Sequence, residues 1–450
     1  MDFESIWSRE QNGEQKEENL LRKKMAYPAL QQDQKTDVLI VGAGIAGILC
    51  AFQLNRAGVD CMIVDKGEPL GGVTKNTTAK ITVQHALIYD RILKSYGLEK
   101  AQMYYQIYGK AVKEYKKMAE TIPCDFEEKT AWVYHTQENG KWEQEIRAYE
   151  AIGILYVTEE KPPIPVKTKG ALGIEHQAQF HPLKFLTYVL YHLPKTVPIY
   201  QNTPVLAVDG HTAKTPNGTI TAKHIILATH YPMVNVPGAY FMKLYQHRSY
   251  VAALDNGPQL PGMYIDEAEN GFSFRNYKNL LFIGGGAHRT GKKGGNYHAV
   301  YTLAEQAYPQ SPVVAAWAAQ DCMSLDGIPY IGVHSKAKPY LYVASGFQKW
   351  GMTGAMAASL VLRDCIIHGK SEYETVFSPQ RSMWHPQLFI NLGVAAADFV
   401  VPGKRCSHLG CRLKWNSQEH TWDCPCHGSR FHKDGSVIDN PAKRPVSSKK

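Results

Sequence analysis

The chain has 450 residues, 44% hydrophobic and 20% charged, with a net charge of +9. That length exceeds a single core, because domains run about 100–200 residues, and the composition is that of a globular protein and not a disordered or fibrous one. No run of about 18 uncharged apolar residues marks a membrane span, and the 50 Lys+Arg and 41 Asp+Glu are spread without the basic, aromatic-studded stripe of a nucleic-acid surface.

Residues 1–35 read as a polar leader of mixed charge without an apolar h-region, so no secretory signal is expected and the expected setting is cytoplasmic. Thiols stay reduced there, and clustered cysteines favour metal over disulfide. "TDVLIVGAG" (Thr36–Gly44) is a buried-strand pattern that runs into glycines, "IAGILCAFQLNRAG" a helix, and "VDCMIVDKG" a second strand. Together they form a strand–helix–strand unit of about 30 residues.

Between its first strand and helix lies G-x-G-x-x-G, at Gly42, Gly44 and Gly47. Gly42 permits a tight turn, Gly44 leaves room for a pyrophosphate, and Gly47 lets the helix approach the sheet. The helix N-terminus offers unpaired N–H groups to phosphate. Asp65, eighteen residues beyond Gly47, is placed to take ribose hydroxyls. A glycine pair and a Thr/Lys-rich segment follow, "KGEPLGGVTKNTTAKITVQH".

Residues 162–260 read mostly as strands with turns such as "PNG". "HIILATHYP" (His224–Pro232), "NLLFIGGGAH" and "PYLYVASGF" are apolar runs delivered into small or polar residues, and Thr353–Gly369 reads as a helix lying against them. This alternation points to an α/β fold, an open parallel sheet with a more β-rich insert.

The C-terminal stretch "CSHLGCRLKWNSQEHTWDCPCHGSRF" holds four of the nine cysteines. Cys406-x-His408 and Cys424-x-x-His427 each offer a thiolate and an imidazole, and the fifteen residues between His408 and Cys424 are enough for a hairpin that brings them face to face. Two thiolates on one iron and two imidazoles on the other describe a Rieske 2Fe–2S centre. A tetrahedral Cys2His2 zinc site takes the same set, and spacing alone leaves the two close. His420 and His432 read as surface residues of the hairpin, and the basic tail "KRPVSSKK" as a solvated end.

The sequence resembles the FAD-dependent oxidoreductases of the D-amino acid oxidase and glycine oxidase superfamily over most of Asp37–Arg381, in "DVLIVGAGIAGILCA", "ILATHYP", "DGIPYIG" and "YVASGFQKWGMTGAMAASLVL". "CSHLGC" and "CPCHGS" are similar to the two loops of Rieske proteins, and end to end the chain resembles bacterial flavin oxidoreductases with a C-terminal Rieske domain. The resemblance implies a leader (1–35), an FAD-binding oxidoreductase domain of interleaved FAD and β-rich substrate parts (36–381), a linker helix (382–401) and a small all-β Rieske domain (402–450). The last is shortened, since barely a dozen residues stand where strands of a base sheet usually precede the first loop. Either the flavin domain supplies the missing packing surface or the cluster lies in a more exposed fold.

The resemblance further implies FAD held through Gly42, Gly44, Gly47, Asp65 and Lys66, with Val205 as a backbone contact to adenine. Thr77, Thr78 and Lys80 would lie along the pyrophosphate and ring side, and Trp350, Gly351, Met352 and Thr353 near the ring; the plainer reading of Thr77 and Thr78 is turn hydroxyls. Cys406, His408, Cys424 and His427 would hold the cluster, Cys411 and Cys426 would form the inter-loop disulfide, and Ser429 would donate to the cluster. Arg248, Arg275 and Arg289 are candidates to grip a substrate carboxylate. His230 and His288 could lie near the ring, with a satisfied loop histidine as the plainer reading of each.

The implied function is oxidation of a small amine or amino-acid-like substrate, with electrons passed singly to the cluster and on to an external carrier. The alternative is an electron-transfer protein without organic substrate. A Rieske oxygenase is set aside, since no closely spaced His/Asp set for a mononuclear iron is present. Direct NAD(P)H use is disfavoured, because "FIGGGAH" lacks a later glycine and acid in register.

Overall fold

The computed structural model describes residues 4–9 and 25–446. Much of the expected leader, and residues 447–450 of the basic tail, lie outside the described residues. Strand β1 (Gln34–Val41), helix α1 (Ile45–Arg56) and strand β2 (Cys61–Val64) form the expected unit, with β1 and β2 parallel and Val38 opposite Cys61. Val38–Val41 and all of β2 are buried, as strands covered on both faces must be.

Strand β3 (Gly218–Leu227) joins β1 in parallel on its other side, Val41 opposite Leu227. The chain then adds β4 (Tyr245–Asp255), β5 (Leu280–Arg289) and β6 (Val313–Met323), antiparallel neighbours with β4 in the middle, to a second, nine-stranded sheet to which Glu127–His135 and Gly170–Gln179 already belong. It returns with β7 (Lys338–Ser345), parallel to β3 in the eight-stranded first sheet, followed by α2 (Gly351–His368), which packs on α1.

Three details differ from expectation. "NLLFIGGGAH" is β5 of the nine-stranded sheet, antiparallel to both its neighbours and not part of the first sheet, and its glycines leave room for nearby side chains: a Cβ on Gly285 would lie 2.6 Å from the Phe272 ring. Within the stretch read as strands, Pro182–Tyr191 is a helix, started by Pro182 and by the His181 ring accepting the Lys184 N–H at 3.1 Å. The leader region also contributes to the core. Trp7 is 2% exposed, and it packs edge-on against His181, Tyr277 and Phe282 while its indole N–H donates to the Thr77 carbonyl at 2.7 Å.

Helix α3 (Pro386–Val400) precedes a four-stranded antiparallel sheet of β8 (Lys414–Asn416), β9 (Thr421–Asp423), β10 (Arg430–Phe431) and β11 (Val437–Asp439). Its buried apolar cluster is small, built around Leu413, Phe431 and the four cysteines. So small a core is insufficient by itself, and the flavin domain completes it, as described below.

Candidate redox site

The turn after β1 is built as the glycines require. Gly42 has φ +111°, and a Cβ there would lie 2.5 Å from the Ala228 carbonyl oxygen. A Cβ on Gly47 would lie 1.8 Å from the Gly42 carbonyl oxygen, so no larger residue fits while α1 stays this close. At the end of β2 the Asp65 carboxylate accepts the N–H groups of Ala43 at 2.6 Å and Gly67 at 2.9 Å, while burial pushes its carboxyl upward. Thr74, which sequence reasoning passed over, accepts the N–H of Ile45 at the start of α1 at 3.1 Å.

Gly42, Gly44, Asp65 and Thr74 border a cavity of about 1660 Å³, which Lys66, Val205, Thr77, Thr78, Lys80, Trp350, Gly351 and Met352 also line, while Gly47 is set back from it against the sheet. It exceeds the roughly 300–1,000 Å³ of an ordinary ligand pocket, as an elongated dinucleotide and a substrate together require. A Cβ on Gly351, at the start of α2, would meet no protein atom within 4 Å. The Thr77 hydroxyl accepts the Ala79 N–H at 3.0 Å, the turn role, and Thr78 accepts from Lys80 Nζ at 3.3 Å. Burial, then Arg275, lowers the Lys80 amine to about 7. Thr353 is set back from the cavity, its hydroxyl accepting the Thr82 N–H at 3.0 Å. His85, which reasoning from the sequence also missed, lies against the Trp350 ring at 4.9 Å, and burial lowers it to about 3.

The two C-terminal loops are closed alike. Cys406 N–H donates to the Cys411 carbonyl at 2.8 Å and Gly410 N–H to that of Cys406 at 2.9 Å; Cys424 N–H donates to Ser429 and Gly428 N–H to Cys424, both at 2.9 Å. Gly410 and Gly428 sit at φ +82° and +81°, the left-handed region that favours glycine. The loops face each other. The sulfurs of Cys411, Cys424 and Cys426 lie within 4.8 Å of one another, a hydrogen bond with Cys424 pushes the Cys406 thiol up, and the His408 and His427 rings stand perpendicular at 5.0 Å.

His427 Nε2 contacts the Phe241 carbonyl at 2.8 Å. A carbonyl only accepts, so Nε2 carries the proton and Nδ1 presents its lone pair. Nδ1 of both histidines is buried with no hydrogen-bond partner among the described residues; for His427, whose other nitrogen donates to a carbonyl, this is the arrangement of an imidazole awaiting a metal, while His408 Nε2 lies 3.4 Å from Asn235 Nδ2. The Ser429 hydroxyl bonds to Cys406, lowering its thiol, and accepts the Ala442 N–H at 3.0 Å. The four cysteines are free thiols, so the Cys411–Cys426 bridge is not formed in this structure. His420 and His432 are exposed.

Of the two alternatives for the shortened domain, the structure takes the first: the flavin domain supplies the packing surface. Buried Gln246 on β4 donates to the carbonyls of His427 at 2.9 Å and Asn440 at 3.0 Å, and Gln320 on β6 donates to that of Gly428 at 2.8 Å. Asn440 in turn donates to Thr229 at 2.6 Å and Tyr231 at 3.1 Å, beyond the end of β3. Buried Tyr231 meets both cluster-side histidine rings edge-on, at 6.2 Å from His408 and 6.5 Å from His427. His230 lines the cavity and meets Gln246 Oε1 at 3.0 Å; His288 lies outside it, stacked on Tyr250.

The three arginines are engaged by the protein itself. Arg289 donates to the carbonyls of Pro425 at 2.7 Å and Cys426 at 2.9 Å and to Asn391 at 2.8 Å. Arg248 pairs with Glu419 of the β8–β9 hairpin, Nε at 3.1 Å, and Arg430 meets the same carboxylate at 2.7 Å. Arg275 donates to the Thr78 and Ala79 carbonyls, fixing the segment that borders the cavity. The guanidiniums of Arg248 and Arg289 thus tie the two domains together, a role that long-range pairing reveals and local sequence does not.

Residues 37–364 match the family described as FAD dependent oxidoreductase. The chain belongs to that family. Residues 380–450 match the Rieske [2Fe-2S] domain. A Rieske 2Fe-2S iron-sulfur protein of Bacillus subtilis, YhfW, is 32% identical over 94% of this chain and 94% of its own length. Cytochrome b6-f complex iron-sulfur subunit 1 of Synechocystis is 54% identical over 9% of this chain and 23% of its own. Glycine oxidase from Geobacillus kaustophilus superposes with a TM-score of 0.65 at 20% identity, covering 78% of this chain and all of that one, and L-proline dehydrogenase from P. horikoshii with 0.65 at 15%, covering 78% and 98%.

The protein is therefore an FAD-dependent oxidoreductase whose two domains take FAD and a 2Fe–2S cluster. The glycine turn with its open cavity and the paired thiols with bare Nδ1 atoms fit those groups. No helix among the described residues is long and apolar enough to cross a membrane.

Proposed function

We propose that the flavin domain oxidises a small amine or amino-acid-like substrate and that the electrons leave one at a time through the Rieske centre to an external carrier. The observation that carries this reading is the cavity. It extends from Gly42 and Asp65 to Glu419, Arg430 and Asn440 of the Rieske domain, so one continuous space is bordered by both halves of the chain. Bound there, FAD supplies two-electron oxidation, and the cluster, with neutral imidazoles on one iron, supplies a one-electron acceptor of raised potential.

The protein's own groups set the rest. Gly42, Gly44, Gly47, Asp65 and Lys66 hold the ADP half, and the α1 N-terminus faces its phosphates. Thr77, Thr78, Lys80, Trp350, Gly351 and Met352 border the ring side, with Val205 at adenine. Cys406, His408, Cys424 and His427 would ligate the irons, and Cys411 and Cys426, free thiols in this structure, would form the bridge between the loops on oxidation. Phe241, by accepting from His427 Nε2, keeps Nδ1 free for iron, and Tyr231 fills the space between the two domains with a packed ring. The oxidoreductase domain spans 36–381, the linker helix 382–401 and the Rieske domain 402–450, working in the cytoplasm.

The test is anaerobic. Holoprotein is mixed with a panel of amino acids and secondary amines while flavin absorbance and the low-temperature EPR of the cluster are followed. Bleaching of the flavin followed by the Rieske signal is the expected result. A cluster reduced only by an added electron carrier, with every organic substrate inert, would replace this reading with the electron-transfer protein.

A further inference from the structure

Helix α3 is built inside out. Its inward stripe is Leu388, Asn391, Ala395 and Asp398, spaced as one helical face. Two of those four are polar: Asn391 accepts from Arg289 at 2.8 Å and donates to Met242, and Asp398 pairs with Lys414 at 3.2 Å. The outward face carries Phe389 (58% exposed), Ile390, Leu392, Phe399 (47%) and Val400 (79%), and Trp384 (81%) stands just before the helix, 6.1 Å from the Phe389 ring. Not one charged residue lies on that face. A contiguous apolar surface of this kind marks a site that something covers.

Its surroundings indicate what. Between Ser382 and Lys414 the sequence has one acid, Asp398, which is buried, and four bases, Lys404, Arg405, Arg412 and Lys414. A second copy would bring two such cationic faces together. An apolar helix face with Trp and Phe beside a cluster of Lys and Arg suits an anionic lipid surface, where the apolar side chains enter the acyl boundary and the cations meet headgroups. We propose that α3 docks the protein peripherally on an anionic membrane. The first cluster loop borders the same patch: Leu409 is 42% exposed, and a Cβ on Gly410 would lie 3.5 Å from the Phe399 ring. Docking thus brings the His408 loop to the membrane surface.

The test uses holoprotein floated with vesicles of phosphatidylglycerol and phosphatidylcholine in equal parts, and of phosphatidylcholine alone, at low and high salt. Sedimentation velocity without lipid is run beside it. The expected result is flotation with the anionic vesicles, weakened by salt, and a drop of about tenfold or more in binding for F389S/F399S, since two large apolar side chains leave the interface. FAD and iron per chain should be unchanged in that variant. If the wild type stays off both vesicles and F389S/F399S turns a dimer into a monomer, the face belongs to a second copy and the proposal falls. It falls also if the wild type is an unbound monomer, or if the variant floats as well as the wild type.

Discussion

Glu419 joins the Rieske domain to a strand about 170 residues earlier in the chain. Its carboxylate meets Arg248 and Tyr250 of β4 and Arg430 of its own domain. Burial alone would raise its carboxyl; the two guanidiniums overcome that and hold it at about 2, below the ordinary 4.5. A depressed acid contributes stability that is complete above its unfolded value and is lost as pH falls through the folded one. Denaturant unfolding of the wild type should therefore weaken as pH drops from 4.5 toward 2, and E419Q should lack that part of the slope. At neutral pH E419Q takes the carboxylate from buried Arg248, while Arg430 keeps Asp423 and Asp439 at 3.2 Å each; breaking a buried pair of this kind costs about 3–5 kcal/mol. A variant as stable as wild type at neutral pH would show that the pair is dispensable.

At the scale of elements, the α1 start within the β1–α1–β2 unit and the start of α2 offer a paired contrast. In Gly47→Ala the new methyl collides with the Gly42 carbonyl at 1.8 Å, so α1 must withdraw; overpacking of this kind costs about 1–3 kcal/mol, and flavin content should fall. In Gly351→Ala the methyl meets no protein atom within 4 Å, so unfolding should be unaltered, and any loss of flavin then reports that the cofactor itself needs the space. Flavin absorbance per chain with thermal unfolding separates the two outcomes. A Gly47→Ala protein with full flavin would mean that the turn relaxes freely.

This unit was legible because its information is local: a period, three glycines and an acid at fixed spacing. The two cluster loops were legible for the same reason, since the spacing of thiols and imidazoles is local too. The helix at Pro182–Tyr191 was obscured because its apolar residues, buried nearly all round, lack a clean amphipathic period. Trp7, read as part of a polar leader, finds its partners at Thr77, His181 and Tyr277, and no local pattern announces contacts so distant in the chain. The partners of the arginines are hidden from local sequence in the same way, although Arg248 does line the cavity. Residue type suggested a substrate grip, whereas Arg289 faces the carbonyls of Pro425 and Cys426 across 136 and 137 residues.

At the scale of the whole molecule, a Rieske domain with a core this small persists because the flavin sheet does part of its folding for it. The bonds concentrate on Gln246, which is 1% exposed, donates to His427 and Asn440, and accepts from Gln320 at 2.7 Å. Gln246→Leu preserves approximate volume but strands two carbonyls of the Rieske domain and an amide of β6, each unpaired group costing about 1–3 kcal/mol. Because the lost partners are His427 and Asn440, while Gly42, Gly47 and Asp65 are untouched, the damage should be selective: iron per chain falls and FAD per chain holds. Joint loss of iron and flavin would mean that Gln246 supports the whole fold. Full retention of both would mean that the cluster domain stands without this surface, and that the β4–β6 face adds only proximity between the two redox centres.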